Sequence, residues 1–418
     1  MSTFDDDHDF VYPMRVQVAP GSEAEYRHFR TAVRRSGETF QREALAAGVS
    51  ASPQDDLVFR GGKTLPRMGF QNIYLGRPGD FASGDVESID NAITRLMRDE
   101  QLKSIIQQYF VGKKLEYDVA PSVILDENRR NEMDEPDVQN KVIDLFDKGL
   151  ILATDLDRTV FNLILAPDTI LKLGGSSSQR GLGGYHGSVH FTRNGQARTL
   201  YYSANVYSAV RSGQRNGIPF FSAPWKNVVC TLYHELVESQ TDPDVGDAIR
   251  LNDRRFIGFN SRFGQEIGDQ PIAANSLDKI FKEVMTLPGP SATPVQFMFS
   301  NKVHGAEGPD EKPGDQLQID GPEVLGEISA GGERDRYTFT VETAGSYAIR
   351  TSGNTDTFVS LFGPNNESRL IAEDDDSGPG NLSLLVQNLT PGRYFVRVRL
   401  FSASSTGPYG ISVRKGTA

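Results

Sequence analysis

The sequence predicts a multidomain protein in which an α/β (α+β) domain is followed by an all-β sandwich domain. Three observations support this fold class. Residues 159–167 form an apolar run typical of a strand buried on both faces, residues 222–242 have the pattern of a helix, and short alternating strands recur roughly every eight to twelve residues beyond residue 336. A chain of 418 residues has room for two or three domains.

The composition is that of an ordinary soluble globular protein, with 38% hydrophobic and 24% charged residues. The formal net charge of −11 and the lack of a long Lys/Arg run argue against binding to nucleic acid or to an anionic membrane surface. The single cysteine excludes a disulfide framework and every Cys-rich zinc motif, so any metal ion would be bound by histidines and carboxylates. Nothing in the composition indicates the oligomeric state.

The beginning of the sequence predicts no secretory signal peptide. The first ten residues carry acids where a signal peptide has basic residues, and no apolar core region follows. No segment has the length and hydrophobicity of a membrane span. On this basis alone the protein would be cytoplasmic, would be exported without a leader, or would have a leader that precedes this sequence.

The elements of the first domain are predicted in a mixed order. Residues 1–66 are predicted to be an N-terminal appendage, with a helix at 22–47 and a polar, glycine-rich stretch after it. Residues 67–299 are predicted to form the α/β domain. Its predicted elements are a strand at 70–75, a helix around 86–110, strands at 114–125, a helix at 138–149 and a central strand at 159–167.

A linker and a second domain are predicted in the C-terminal part of the chain. Residues 300–322 are polar, charged and rich in Pro and Gly, which is typical of an interdomain linker. Residues 323–418 are predicted to form a β-sandwich. Its predicted strands begin at Tyr337, Ser346, Thr357, Leu382, Tyr394 and Tyr409.

A glycine-rich loop at residues 173–185 leads into a strand of the first domain. This strand places His186, Ser188 and His190 on one face, because alternate residues of a strand point the same way. Histidines on such a half-buried face are often simply hydrogen-bonded. The glycines do not have the spacing of a dinucleotide-binding fingerprint or a P-loop, and no GxSxG motif supports a Ser-His-Asp triad.

The segment from Thr231 to Pro243 reads TLYHELVESQTDP and contains the pattern HExxExxTDP. In a helix, His234 and Glu238 project from one face about a turn apart, as two ligands of one metal ion must, and Glu235 lies beside them. This is the geometry of the HExxH zinc helix, with the second histidine replaced by a carboxylate. The same letters also occur on solvated polar helix faces.

The motif helix is expected to begin near Ser222, which can cap it, with Pro224 in its first turn. It is expected to end at Asp242, because proline disfavours helix in the residue before it. One face of the helix is apolar, and the face that carries the motif is expected to line a cleft. Cys230, on that second face, is interpreted as a small core residue.

A catalytic zinc ion usually has three protein ligands and an open position, so a third ligand is needed beside the two on the helix. Asp244 lies ten residues after His234, the offset at which metzincins place their last ligand. A hairpin predicted at residues 256–269 would return Glu266 to the helix, as gluzincins do. The alternatives at this point are Asp242, Asp244, Glu266, His186 and His190.

The C-terminal segment resembles the bacterial pre-peptidase C-terminal domain over residues 323–415. The resemblance rests on runs, in matching order, that begin at Arg336, Asp356, Glu373, Leu389 and Tyr409. Such domains are typically appended to secreted bacterial hydrolases, many of them metallo- or serine peptidases, and serve binding or export. The resemblance therefore implies an exported bacterial enzyme.

The motif region, at about residues 68–285, is similar to secreted bacterial and fungal proteins described as metallopeptidases and to plant exordium-like proteins. The similarity rests on the HExxExxTDP segment, on Gly258-Phe, on the block from Glu266 to Asp269 and on the glycine-flanked His186. It implies a zincin-like site in which Glu266 is the third ligand, with Asp244 as the alternative.

Together, the motif and the C-terminal resemblance predict a secreted bacterial zinc-dependent peptidase with protein or peptide substrates. Glu235 would be the general base, and His186 would stabilise the oxyanion or orient a ligand. The carboxylate of Glu238 adds negative charge, which also favours metals other than zinc. The competing hypothesis is a non-catalytic extracellular protein whose sandwich binds polysaccharide or matrix.

The acidic run at residues 374–376 has two interpretations. Together with Asp356 it offers carboxylate oxygens, the ligands that calcium prefers, and so predicts a calcium site in the C-terminal domain. A solvated turn has the same composition.

Overall fold

The structure is a computed structural model that describes residues 15–24, 46, 49–152, 155–285, 292–309, 311–328, 333–365, 369–402 and 405–416. The predicted N-terminal helix at 22–47 lies almost wholly outside these residues. The chain divides into two compact units. The first comprises residues 1–97, 105–281 and 294–307, and the second comprises residues 98–104, 282–293 and 308–418.

The first unit is built on a mixed sheet, which has seven strands within the described residues. They are β1 (Val16–Val18), β2 (Arg67–Leu75), β3 (Glu116–Val119), β4 (Val123–Leu125), β5 (Thr159–Leu165), β6 (Leu182–Arg193) and β7 (Gln196–Asn205). Their order is β1-β6-β7-β5-β2-β3, and β4 also pairs with β2. Strand β6 is antiparallel to β1 and β7, whereas β7, β5, β2 and β3 are parallel to one another. A zincin-like arrangement of this unit remains a prediction.

Strand β5 lies inside the sheet between β7 and β2, and all seven of its residues are buried. The prediction of a central strand from its apolar run is therefore confirmed. Phe161, Leu163 and Leu165 project from one face of β5 into a core cluster that also contains Val138 and Val142. Burial on both faces explains why the run lacks the alternation of a half-exposed strand.

Strand β1 was not predicted from the sequence. Val16 and Val18 are buried and pair with β6 at the edge of the sheet. This part of the segment predicted to be an appendage therefore belongs to the main sheet. A strand of three residues is too short for its alternating pattern to be recognised from the sequence alone.

The described residues contain seven α-helices, which are α1 (Asp85–Arg98), α2 (Glu100–Gln107), α3 (Glu135–Asp147), α4 (Pro224–Thr241), α5 (Val245–Leu251), α6 (Asp269–Ala274) and α7 (Leu277–Ile280). The helix predicted around 86–110 is present as two helices, and the one predicted at 138–149 begins three residues earlier. Asp134 explains this earlier start, because its side chain accepts a hydrogen bond from the backbone of Asp137 and caps α3.

Helix α4 carries the HExxE motif and is buried on all sides. Its first residue is Pro224, and the capping position is Ala223, which makes no side-chain hydrogen bond, so the predicted cap by Ser222 is wrong. The helix ends where predicted, at Asp242. Every residue from 227 to 241 is buried, which is typical of a helix in the interior of its unit.

Shorter strands connect these elements. They lie at Val58–Phe59, Glu132–Met133, Ile170–Leu173, Ser176–Ser177, Ala209–Arg211, Gln214–Asn216, Phe259–Asn260, Phe281–Met285, Ala292–Gln296, Met298–Ser300 and Gly305–Glu307. Among the described residues, no helix is long and apolar enough to cross a membrane.

The second unit contains two β-sheets that share one core. Its strands are β8 (Glu311–Gln316), β9 (Val324–Ile328), β10 (Arg334–Val341), β11 (Gly345–Ser352), β12 (Thr357–Phe362), β13 (Leu370–Asp374), β14 (Leu384–Leu389), β15 (Gly392–Leu400) and β16 (Gly407–Lys415). The sheet orders are β8-β10-β15-β12-β13 and β9-β16-β11-β14. Phe339 of one sheet and Ile349 and Val413 of the other belong to the same buried cluster. The prediction of a β-sandwich is confirmed.

The segment predicted to be a linker contains regular structure. Strand β8 lies within residues 300–322 and pairs in parallel with β10. Leu317, just after β8, is buried in the sandwich core. The polar, Pro-rich composition of this segment was therefore misleading, since a strand at the edge of a sheet tolerates such residues.

Candidate metal centre

Helix α4 and strand β6 meet closely in the first unit. A Cβ atom on Gly184 of β6 would lie 2.7 Å from Thr231 Cγ2 and 3.0 Å from Glu235 Oε1, so only glycine allows this approach. Two residues further along β6, His186 faces the helix. Its Nδ1 atom lies 3.2 Å from Glu235 Oε2.

Five of the predicted site residues are completely buried. The side chains of His186, His234, Glu235, Glu238 and Glu266 have no solvent exposure. The expectation that this face of α4 lines an open cleft is wrong. Gln17 of β1 and Gln296, both buried, lie over it together with residues 258–269.

Glu238 is held through one of its two carboxylate oxygens. Its Oε1 atom accepts hydrogen bonds from the backbone N–H groups of Gly268 and Asp269, both at 3.1 Å. Its Oε2 atom accepts no hydrogen bond. This second oxygen lies 3.1 Å from His234 Nε2 and 3.6 Å from His186 Nδ1.

The orientation of the His234 ring follows from its partner Gln296. The Gln296 side-chain amide donates to the carbonyl oxygen of Gly268 at 2.7 Å, and its oxygen faces His234 Nδ1 at 3.1 Å. Because an amide oxygen can only accept, the proton of His234 is on Nδ1. The lone pair on Nε2 therefore points towards Glu238 Oε2 and towards Asp269 Oδ1, which lies 3.7 Å away. This Nε2 atom has no hydrogen-bond partner.

His186 is oriented in the same manner by a backbone carbonyl. Its Nε2 atom lies 3.1 Å from the carbonyl oxygen of Asp242, so Nε2 carries the proton. The lone pair on Nδ1 faces Glu235 Oε2, with Glu238 Oε2 slightly farther away. Both histidines thus present a lone pair to carboxyl oxygens, and both approach the same oxygen of Glu238.

The block from Glu266 to Asp269 supplies two further carboxylates. Glu266 Oε1 lies 3.7 Å from His186 Nε2, and Asp269 Oδ1 lies 3.7 Å from His234 Nε2. All four carboxylate oxygens of these two residues lack a hydrogen-bond partner. Glu266, expected beside His234, thus lies beside His186.

The path of the chain around this block differs from the predicted hairpin. Phe259–Asn260 pairs with Val58–Phe59, and α6 begins at Asp269. Asp269 is the last residue of this block and was not predicted to be a ligand. Its position three residues after Glu266 was the signal that could have identified it.

Two glycines of the motif region are required by close packing against α4. A Cβ atom on Gly268 would lie 2.5 Å from His234 Nδ1, and one on Gly258 would lie 1.9 Å from the carbonyl oxygen of Thr241. The N–H group of Gly258 donates to Asp242 Oδ1 at 3.0 Å. These glycines let the covering loop lie directly on the helix.

The described residues contain three clusters that could hold a metal ion. Each cluster has three His, Asp or Glu side chains, and one donor atom from each side chain lies within 4.8 Å of the other two. They are His186/Glu238/Glu266, His234/Glu238/Asp269 and His190/Asp244/Asp247. Asp244, the alternative third ligand, therefore lies with His190 rather than with His234. In this third group His190 Nε2 is 2.6 Å from Asp247 Oδ2, and the His190 side chain is 42% exposed.

Burial controls the protonation of the centre. It raises the pKa of Glu235, Glu238, Glu266 and Asp269 well above their ordinary values, and repulsion among these carboxylates contributes at three of the four. Burial also lowers the pKa of His234 to about 4 and that of His186 to about 3. The lowered pKa values keep both imidazoles neutral at pH 7 and able to coordinate a cation.

The donor atoms fit a divalent transition-metal ion. Ligand atoms lie about 2.0–2.2 Å from zinc, so two ligands in a tetrahedral site are separated by roughly 3.3 Å. The distances from His234 Nε2 to Glu238 Oε2 and to Asp269 Oδ1 are 3.1 and 3.7 Å. Buried polar atoms without partners are costly, and a bound cation would satisfy all three of these atoms.

Comparison with protein families gives a match in the C-terminal unit. Residues 333–400 match the bacterial pre-peptidase C-terminal domain. This segment is a pre-peptidase C-terminal domain. The match covers the sandwich strands from β10 to β15, in the region where the sequence resemblance was found. Comparison of the whole sequence with curated proteins gives no match.

Solved structures similar to this chain cover about a quarter of it. The pre-peptidase C-terminal domain of a collagenase from Bacillus anthracis has 23% identity and a TM-score of 0.21, covering 25% of this chain and 95% of that one. PliG from Aeromonas hydrophila, a periplasmic inhibitor of g-type lysozyme, has 18% identity and a TM-score of 0.21, covering 25% and 96%. CorA, a surface-associated copper-binding protein of Methylomicrobium album BG8, has 8% identity and a TM-score of 0.22, covering 25% and 100%.

The acidic run of the pre-peptidase C-terminal domain forms a turn after β13. Asp374 Oδ2 accepts hydrogen bonds from the backbone N–H groups of Ser377 and Leu384, at 3.2 and 2.7 Å. Asp356 Oδ2 accepts a hydrogen bond from Asn381 at 3.4 Å. Asp374 thus has a structural role in the turn, and the calcium site remains a prediction.

Proposed function

We propose that the first unit binds a divalent transition-metal ion, such as zinc, through His234, Glu238 and Asp269, and that the protein is a secreted bacterial hydrolase of peptide bonds. One observation carries this proposal. The lone pair of His234 Nε2 is directed at two carboxyl oxygens in a fully buried cluster, and none of these three atoms has a hydrogen-bond partner. Such an arrangement is stabilised by a cation in their midst.

Gln296 and Gly268 support the ligands from behind. The amide of Gln296 fixes the His234 ring with its lone pair towards the carboxylates, and the N–H groups of Gly268 and Asp269 fix Glu238. Partners of this kind orient ligands and raise their basicity. The ion itself would supply a Lewis acid that polarises the substrate carbonyl and acidifies water.

Glu235 is the residue proposed to accept and return the proton. It lies on the same helix as His234 and Glu238, its Oε2 atom contacts His186, and its Oε1 atom has no hydrogen-bond partner. Burial raises the pKa of its carboxyl well above the ordinary value of a glutamate. His186 is proposed to position this carboxyl rather than to stabilise an oxyanion.

The C-terminal domain supports the cellular context of the proposal. Pre-peptidase C-terminal domains are found in secreted bacterial proteins, many of them peptidases, so we propose an extracellular location and a protein or peptide substrate. The family match at residues 333–400 is independent of the buried centre.

Complete burial of the centre favours a second candidate function. A peptide bond reaches Glu235 only if the segments that carry Gln17, Gln296 and Gly268 move away from α4. If they do not move, the ion is structural and the protein is a non-catalytic extracellular binding protein. In that case the sandwich would make the contacts, with polysaccharide or matrix as the partner.

Metal content and peptide hydrolysis, measured on the same purified full-length chain, distinguish these functions. We expect stoichiometric transition metal and hydrolysis of a denatured protein substrate that a chelator abolishes and added zinc restores. Bound metal without hydrolysis would support the binding protein. Absence of any transition metal after reconstitution would overturn the metal centre itself.

A further inference from the structure

We infer that the buried centre holds two divalent metal ions that share Glu238, rather than one. This inference rests on the proposed metal-binding function and extends it. The first subsite is His234/Glu238/Asp269, and the second is His186/Glu238/Glu266, so each contains one imidazole, the shared carboxylate and one residue of the Glu266–Asp269 block.

The position of Glu238 Oε2 indicates sharing. This atom lies between two imidazole lone pairs, 3.1 Å from His234 Nε2 and 3.6 Å from His186 Nδ1. A single proton on Oε2 could be donated to only one of these nitrogens. A carboxylate between two cations would serve both, with Oε1 remaining bound to the backbone N–H groups of Gly268 and Asp269.

The unpartnered oxygens of Glu266 indicate the second subsite independently. Both of its carboxylate oxygens lack a hydrogen-bond partner, and the side chain has no solvent exposure. Glu266 belongs to the group in which one donor atom from each of His186, Glu238 and Glu266 lies within 4.8 Å of the others, whereas Asp269 belongs to the His234 group. An ion held at His234 through Asp269 would therefore not satisfy the Glu266 oxygens. A second cation in the His186 group would remove this cost.

The charge of the cluster also favours two ions. Five buried carboxyl groups interact with one another there, those of Glu235, Glu238, Asp242, Glu266 and Asp269. Two divalent ions would place four positive charges among these five acidic groups, whereas one ion would place two.

A pair of ions defines the chemical class of the centre. Two-metal sites with ions roughly 3.5–4 Å apart occur in phosphatases, nucleases and aminopeptidases, where the ions stabilise the attacking oxygen and, in phosphate-ester hydrolysis, the leaving oxygen as well. Mixed imidazole and carboxylate donors suit manganese, iron, cobalt or zinc rather than calcium or magnesium.

The test uses the full-length chain, stripped of metal and titrated with Mn²⁺ or Co²⁺, with bound metal measured by mass spectrometry. We expect two ions in the natural sequence and one in each of Glu266→Gln and Asp269→Asn. Asp247→Asn is the matched control, because Asp247 belongs to the separate His190 group, and we expect it to keep two ions. Loss of one ion in this control would place the second ion at the His190 group and overturn the inference.

The remaining outcomes separate this inference from the proposed function. One ion in the natural sequence, lost in Asp269→Asn but kept in Glu266→Gln, would overturn the shared centre and leave the single-ion site intact. No bound ion would overturn both. If a variant fails to fold, electron paramagnetic resonance of the natural protein loaded with Mn²⁺ decides: an exchange-coupled pair is expected, and only isolated ions would contradict it.

Discussion

His186 Nδ1 lies 3.2 Å from Glu235 Oε2, and this contact joins strand β6 to helix α4 at the centre of the first unit. Because His186 carries its proton on Nε2, the contact requires a proton or a cation between the two side chains. The contact therefore relates the protonation of Glu235 to the occupancy of the centre.

Replacing Glu235 by glutamine is expected to abolish hydrolysis without removing metal. Glutamine keeps the size of the side chain but cannot accept and return a proton, so we expect kcat to fall by about 10²–10⁴-fold. Metal content and hydrolysis are measured on the same preparation. His190→Gln, on the same strand face as His186 but outside the buried centre, is the control and should retain activity. Unchanged hydrolysis in Glu235→Gln would remove Glu235 from the mechanism.

Adding a methyl group at Gly268 is expected to disturb the centre. The Cβ atom of alanine would lie 2.5 Å from His234 Nδ1 and 3.0 Å from Glu238 Oε1, so the ring or the loop must shift. We expect Gly268→Ala to lower the free energy of unfolding by about 1–3 kcal/mol and to weaken metal binding. Denaturant unfolding and metal titration measure these two effects.

Gly79→Ala provides the control for this substitution. A Cβ atom at Gly79 would meet nothing within 4 Å, and this glycine is not at a positive φ. The variant should match the natural protein in stability and in metal binding. Equal behaviour of the two variants would show that the loop at Gly268 is free to move away from His234.

Local sequence patterns predicted the elements that carry the centre but not what covers them. The HExxE spacing placed His234 and Glu238 on one helix face, and proline after Asp242 defined the end of that helix. The orientation of His234 depends on Gln296, which lies 62 residues away in a segment without a motif. The polar residues on that helix face suggested a cleft, because no short-range pattern shows that a distant amide and a loop will cover them.

The choice of the third ligand illustrates the same limit. Glu266 and Asp269 belong to one short block, and both lie in the buried cluster. Which of them lies beside His234 depends on how the chain turns into α6, and the predicted hairpin gave the wrong path. The sandwich strands were easier to predict, since alternation within a strand is a local property.

The turn after β13 is expected to depend on Asp374. Its carboxylate accepts two backbone hydrogen bonds, from Ser377 and Leu384, which an alanine would leave without their partner. We expect Asp374→Ala to lower the free energy of unfolding by about 1 kcal/mol. Asp376→Ala, at an exposed position in the same run, is the control and should have little effect. The same measurements with and without calcium test the predicted calcium site. If the site exists, calcium stabilises the natural protein, and each of the two variants loses this stabilisation.

The ion pair between His190 and Asp247 is expected to make stability depend on pH. The hydrogen bond to Asp247 raises the pKa of His190 above its ordinary value of 6.5. Although burial alone raises the pKa of Asp247, hydrogen bonds from His190 and Arg250 lower it below 3.8. The contribution of His190 is fully present below pH 6.5 and is lost as the pH rises through its raised pKa. That of Asp247 is present above pH 3.8 and is lost as the pH falls through its lowered pKa.

The stabilisation by this pair should therefore be greatest between about pH 4 and 6.5. Replacing His190 by glutamine should destabilise the protein most in that window and have a diminishing effect at higher pH. Denaturant unfolding of both proteins across this range measures the difference, and the chemical shifts of the His190 ring report its pKa directly. Asp244 and Arg250 also face this pair and influence the pKa of His190. Asp247→Asn, the second variant, removes the carboxylate that has the largest influence on the His190 pKa and should return it towards 6.5. A difference in stability that stays constant with pH would show that His190 contributes by packing alone.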